Sequence, residues 1–368
     1  MAKSKAKKRF LALRRAQKKG MYIAYRRSRA EKLRRVGHDF VSHLPDTEHP
    51  VTHKPIKAIE CPEELDLDTN ADETLHLFQE IHRWSSSVGA RPVYINFKPI
   101  EKISPAAALM LAAELDRWNH LHTNRKLRAI DVDEWHPAVR RLLYEMGFFS
   151  LLNIDKQALK WNPEEDDGVV LDTRFLKFQS GRGADGVAAS RYRDRIETFA
   201  GKIKRRRSLY DGLVEAMTNV GQHAYSRKAP LKDWWISASV NKKDGTLTIM
   251  CTDHGQGIPS TLPRKHAEQF RAILVNLGVG QLKDDAKMIQ AAMDLERSRT
   301  ELPHRGYGLK RDIQRYVSAH NSTGRLTILS GHGMYHFTRA HDGKESVTLS
   351  NNAIAHEGTL IEWRVEDF

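Results

Sequence analysis

The second half of the chain carries three short strings in a fixed order. They are Glu215-Ala216-Met217-Thr218-Asn219, then Asp253-His254-Gly255-Gln256-Gly257-Ile258, then Gly306-Tyr307-Gly308-Leu309. Each dictates its own local structure. Glu215 and Asn219 lie four apart in a helical pattern from Leu209 to Tyr225, which sets both side chains on one face, a turn from each other. Asp253 follows the alternating run Leu247 to Cys251, so it stands at the end of a strand. Gly255 and Gly257 then let the backbone turn sharply. Gly306 and Gly308 form a turn opening onto a second helical pattern, Leu309 to Val317. Strands and helices alternate through all three, so the expected class is α/β.

The residues in these strings have definite chemistry. An Asn carbonyl can supply one oxygen to a hard cation such as Mg²⁺, which keeps several waters and bridges to phosphates. A carboxylate one turn away, as Glu215 is, can orient or deprotonate a nucleophile. A buried carboxylate at Asp253 can accept a hydrogen bond from the exocyclic amine of adenine, which disfavours a base bearing a carbonyl there. The Gly306–Gly308 turn offers backbone N–H groups as a phosphate cradle. Arg305 and Lys310 flank it and can add charge-assisted contacts. Each string alone has a plainer account: E-x-x-x-N occurs on many solvated helices, and D-x-G-x-G also makes hairpin turns. A calcium loop fails because the acidic ligands that should come after it are missing. Specificity lies in the set.

Together and in order, the strings resemble the ATP site of the GHKL superfamily, which includes gyrase, sensor histidine kinases, anti-sigma factor serine kinases and MutL-type repair ATPases. Gly358-Thr359, leading into a last strand, is similar to that superfamily's closing Gly-Thr. The resemblance places an ATP-binding domain at residues 166–368 and implies a Bergerat-fold α/β sandwich with a mixed sheet and a helical ATP lid. By it, Glu215 is the general base, Asn219 the Mg²⁺ ligand and Asp253 the adenine acceptor. Gly255, Gly257 and Ile258 shape the pocket. Arg305, Gly306, Gly308, Leu309 and Lys310 meet the phosphates, and Thr359 helps hold the adenine. His223-Ala224-Tyr225 resembles the His-Ala-Tyr of anti-sigma factor kinases, although a helix-end His packing on the sheet is the better account of His223. Two departures stand out. Nothing resembles the two-helix phosphoacceptor domain of sensor kinases, and the segment from Ile258 to Arg305 is long, with helical stretches broken at Gly278 and Gly280. A large mobile lid that ATP could order is expected there.

Upstream, residues 56–165 read as a separate α/β layer. Ile56–Ile59, Arg91–Phe97 and Leu127–Val132 have strand patterns, and Glu73–Trp84, Ser104–His120 and Pro137–Met146 helical ones. The strand followed by SPAAALMLAAEL, with VRRLLYEMGFFSLL near the end, resembles a STAS-like domain, the fold of anti-sigma factor antagonists. In phosphorylated members a Ser or Thr at the start of that helix accepts phosphate, and Ser104 lies near the matching place. Here the usual Asp-Ser pair is replaced by Ile103-Ser104-Pro105, and a plain N-cap is the simpler role.

The formal charge of +14 is not spread evenly. Residues 1–40 hold 15 Lys and Arg against Glu31 and Asp39, or +13, which leaves 45 basic and 44 acidic residues elsewhere, or +1. Residues 1–55 therefore read as a basic tail and linker. Its apolar interleaving (Phe10, Leu11, Leu13, Met21, Tyr22, Ile23, Tyr25, Leu33) suits a polyanion or protein partner, but a solvated arm accounts for it nearly as well. A transit peptide is the weakest option. A second basic run, Lys202–Arg207, precedes the Glu215 helix. Cys61 and Cys251 are far apart and have no metal-ligand spacing, no run is long enough to span a bilayer, and a cytoplasmic setting in a bacterium is expected. The expected function is Mg²⁺-dependent ATP binding with hydrolysis or phosphoryl transfer. It would act as a conformational switch on a protein partner through the STAS-like domain, with a homodimer possible. The alternative is a nucleic-acid-associated ATPase, in DNA repair or defence against invading DNA, that uses the tail.

Overall fold

The computed structural model describes residues 57–86, 93–122, 127, 129–154, 159–163, 171–183, 185–226, 229, 231–265, 284–294, 309–320, 322–366 and 368. The basic tail, Arg305, Gly306 and Gly308 lie outside them. The chain falls into two compact units, Met1–Ala58 with Gly89–Tyr94, and Ile59–Val88 with Ile95–Phe368. Of the first, only residues 57–58 and 93–94 are described, and the second holds all the other described residues.

At the centre of the second unit is a sheet of β5 (Thr173–Arg182), β6 (Asp233–Asn241), β7 (Thr246–Asp253), β8 (Gly324–Arg339) and β9 (Glu345–Glu366), in the order β5-β6-β7-β9-β8. The described pairings in it are antiparallel. Smaller pairs are made by β1 (Lys57–Glu60) with β3 (Val93–Asn96), and by β2 (Glu64–Leu65) with β4 (Lys102–Ile103), the latter parallel. Strands and helices combine in an α/β architecture.

Strand alternation sorts the main sheet into two buried faces. Leu247, Ile249 and Cys251 of β7, with Ile361, Trp363 and Val365 of β9, join one core with Ala189, Tyr192 and Ile196 of α4 (Gly186–Ala200) and Leu209, Leu213, Ala216 and Met217 of α5 (Arg206–Asn219). Trp363 is fully buried and donates from its indole N–H to the Ile313 carbonyl at 2.8 Å. Against the other face lie α1 (Ala71–Ser86), over β9, and α2 (Pro105–Leu121), over β6 and β7. Every residue from Ala106 to Leu115 is buried, as expected of a helix apolar nearly all round. Ser104 caps it, accepting from the Ala107 N–H at 3.4 Å.

The expected segments match helices and strands, among them α3 (Pro137–Glu145), with two corrections. Among the described residues, 127–132 do not form a strand. Ala129 donates to Asn153 and Asn153 to Leu127, a single bridge, after which the chain closes into a 3₁₀ turn at Val132–Glu134. The alternating runs Arg325–Ser330, Met334–Thr338, Ser346–Leu349 and Thr359–Val365, which read as four short strands, are two long ones, β8 and β9, paired through irregularities at Ser330, Gly331 and Gly333. Beyond the Asp253–Thr359 pair they continue as a two-stranded ribbon. Two helices of the expected lid are described, α6 (Ile258–Lys265) and α7 (Asp285–Asp294). Helix α7 is anchored on that ribbon: Asp285 accepts from the His332 N–H at 2.8 Å, Asn351 accepts from the Ala286 N–H at 3.1 Å, and Met288, Ile289 and Met293 are buried. Helix α8 (Arg315–Ser318) comes after a π-helical turn, Leu309–Gln314.

Candidate nucleotide site

The first string ends α5. Glu215 is buried, 3% exposed, while Asn219 sits at the junction with a π-helical turn, Val220–Ala224. The Asn219 amide nitrogen is buried and has no hydrogen-bond partner among the described residues. Such wide turns inside helices recur at functional sites.

The second string meets that turn. Gln256 donates its backbone N–H to the Ala224 carbonyl at 2.6 Å. A Cβ on Gly255 would lie 2.5 Å from both the Ala224 Cβ and its carbonyl oxygen, so only glycine permits this approach. Tyr225 locks the same corner: its hydroxyl donates to the Asp233 carbonyl at 2.8 Å and accepts from the His254 N–H at 2.9 Å. Asp253 pairs laterally with Trp234 on one side and Thr359 on the other. Its parity puts the carboxylate on the same sheet face as Ile249 and Cys251, at the end of the core. It is 4% exposed and accepts from the Gly255 N–H at 2.6 Å. Burial pushes its pKa up to about 7, against the opposing pull of that N–H.

Gly358-Thr359 closes the site from β9. Gly358 takes φ +120°, and a Cβ there would fall 1.9 Å from the Asp253 carbonyl oxygen. The Thr359 hydroxyl lies 3.1 Å from that of Ser330, which donates to the Gly358 carbonyl at 2.8 Å and accepts from the Ile258 N–H at 2.9 Å. Gly257, at φ +76°, packs against the same serine. The loop after Asp253 is thus held by Ala224, Tyr225 and Ser330. Of these Ser330 had no sequence signal beyond its place at a strand end before Gly331.

The third string is only partly described. Leu309 and Lys310 begin the π-helical turn, without described side chains, while Arg305, Gly306 and Gly308 lie outside the described residues. That turn packs on the Glu215 helix: a Cβ on Gly212 would meet the Asp312 carbonyl oxygen at 3.1 Å. Glu215, Asn219, Asp253, Gly255, Gly257, Ile258 and Thr359 therefore sit on elements that touch directly, and the start of the Leu309 helix joins them.

Of the Lys202–Arg207 run, Ile203 is a core residue. Arg206 pairs with Glu197 at 2.9 Å and Arg207 with Asp211 at 2.9 Å, so part of its charge is spent within the fold.

No known family model matches the chain, and no curated protein does. Among solved structures it is similar to a topoisomerase IV ATP-binding domain of Francisella tularensis, solved in complex with a small-molecule inhibitor. The identity is 13% and the TM-score 0.22, over 51% of this chain and 42% of that one. A likeness so loose says nothing about what this protein does.

Proposed function

We propose that the protein binds ATP with Mg²⁺ at the junction of α5, β7 and β9 and hydrolyses it or transfers its γ-phosphate. The observation that supports this most is the meeting of two sequence-distant strings: the turn after Asn219 lies against Gly255 and Gln256, with Asp253 beside Thr359 in the sheet. Asp253 would accept the adenine amine, and Thr359 would help hold the base. Asn219 fits a cation held mostly by water and phosphate, since it offers one side-chain oxygen and its buried amide nitrogen has no hydrogen-bond partner among the described residues. Bound Mg²⁺ would neutralise phosphate charge. Glu215 would take the proton of the attacking nucleophile, and Arg305, Gly306, Gly308 and Lys310 would contact the phosphates. Residues 56–165 would act as the STAS-like module that reports nucleotide state to a protein partner in the cytoplasm.

The fate of γ-labelled phosphate tests the proposal. Wild type with Mg²⁺-ATP should release label or retain it on protein, and Glu215→Ala should lose either outcome by roughly 10²–10⁴-fold. Equal turnover in both proteins would remove Glu215 from the chemistry. The +13 of residues 1–40 supports the second reading, an ATPase acting on nucleic acid. Neutralising roughly six phosphates would give a log–log salt slope near −5, and a slope unchanged by deleting residues 1–40 would dismiss the tail.

A further inference from the structure

A buried cluster of charged side chains lies beside the candidate nucleotide loop, on the opposite face of the sheet. Glu114 of α2, 4% exposed, is its centre. Its Oε1 receives His254 Nε2 at 3.0 Å and His82 Nδ1 at 3.2 Å. His82 Nε2 in turn contacts Glu357 Oε2 at 2.5 Å. A neutral imidazole has one N–H, and His82 faces a carboxylate oxygen at each nitrogen, so it carries both protons. Arg117 Nη1 stands 3.8 Å from Glu114 Oε2 and also binds Ser85, while its Nη2 binds Ser86. The charged and titratable groups at the cluster are His82 from α1, Glu114 and Arg117 from α2, His254 after β7, and His356 and Glu357 from β9. The space beside them is about 10 Å³, too small for more than one water.

The two outer members of this chain of contacts are nearest neighbours of the site. His254 stands between Asp253 and Gly255, and Glu357 immediately precedes Gly358-Thr359. Both loops are thereby tied to one pair of side chains, Glu114 and His82, on helices of the upstream segment. A second tie runs alongside, since Trp235 packs against the His254 ring, tilted by 57° with centroids 4.9 Å apart, and donates to Asp116 of α2 at 2.8 Å.

We propose that Glu114, clamped between His82 and His254, is a positioning residue for nucleotide binding, which sets the Asp253–Gly255 turn and the Gly358-Thr359 end of β9 according to the placement of α1 and α2. This rests on the ATP reading above. A displacement of α2 by a partner would then change nucleotide affinity, and nucleotide would favour one placement of α2 by the same factor. The alternative is a buried ionic bracket that only holds the layers together, and it makes different predictions.

The test is the affinity of the full chain for Mg²⁺-ATP by calorimetric titration, at a temperature where every variant is folded by circular dichroism. Glu114→Gln keeps the shape and removes the charge, and His82→Gln removes the double bridge should the first variant fail to fold. Arg325→Gln is the control, because it breaks the Arg325–Asp68 pair elsewhere on the same unit. The positioning role predicts about tenfold weaker binding for Glu114→Gln or His82→Gln and unchanged binding for Arg325→Gln. Affinity equal to wild type in the two cluster variants, or equal weakening in all three, overturns it while leaving the ATP site intact. A wild type that binds no ATP overturns both proposals at once.

Discussion

An acid at the end of a buried strand must either keep a proton or find a donor. Among the described residues Asp253 has one donor, the Gly255 N–H, and burial still lifts its pKa to about 7. The folded chain therefore holds a proton there that the unfolded chain releases above pH 4, and the carboxylate becomes a liability as pH rises through 7. A ligand that donates an N–H to the anion reverses this. Binding of ATP should release a proton near neutrality, and its affinity should fall about tenfold per pH unit below 7. Calorimetry in two buffers of different ionisation enthalpy measures the proton directly. Inosine triphosphate, which presents a carbonyl where adenine has its amine, should bind more weakly and without that release. Proton release identical for both nucleotides would take Asp253 out of base recognition.

At the scale of elements, the helices were legible because their signals are local. Ser104-Pro105 announces α2, and the structure gives Ser104 the capping hydrogen bond to Ala107. Because that bond is long, at 3.4 Å, Ser104→Ala should cost about 0.5–1 kcal/mol in urea unfolding, near the low end for such caps. A loss beyond about 2 kcal/mol would mean that the hydroxyl does more than cap. The β8–β9 ribbon was not legible, because Gly331-His332-Gly333 reads as a loop. The strand passes through it because α7 lies on top: a Cβ on Gly331 would meet the Asp285 carboxylate, and one on Gly333 the Asp285 backbone. Those glycines accommodate a neighbouring helix, and a neighbour distant in sequence leaves no local signal. The strand expected at 127–132 failed for the converse reason. Its apolar residues suit a strand, but among the described residues Asn153 supplies one bridge there and Val132 begins a 3₁₀ turn.

Over the whole molecule, the sequence divided the chain at residue 166, while the second compact unit runs across that position, with His82 and Glu114 reaching His254 and Glu357. Nothing in an isolated His or Glu announces a partner on another element, so this cluster was invisible until the fold was known. It also sets how stability should depend on pH. Burial lowers the His82 pKa, but the Glu114 and Glu357 carboxylates outweigh it and raise it to about 9. That contribution is complete below pH 6.5 and is lost as pH rises through 9. Glu114 is held well below the carboxylate range: its burial is outweighed by His254 and His82, so its contribution is complete above pH 4.5 and falls away in acid. Burial lowers His356 to about 3, which makes its neutral form a further cost of acidification below pH 6.5. Urea unfolding should therefore show the cluster's contribution to stability greatest near pH 6–7, declining on both sides. Deprotonation of His82 should account for roughly 3 kcal/mol of the alkaline loss, from 1.36 kcal/mol per pKa unit. In His82→Gln that alkaline decline should largely disappear while the acid decline remains. An unchanged alkaline limb in His82→Gln would mean that the bridge from α1 to the Asp253–Gly255 and Gly358-Thr359 loops carries no charge at neutral pH.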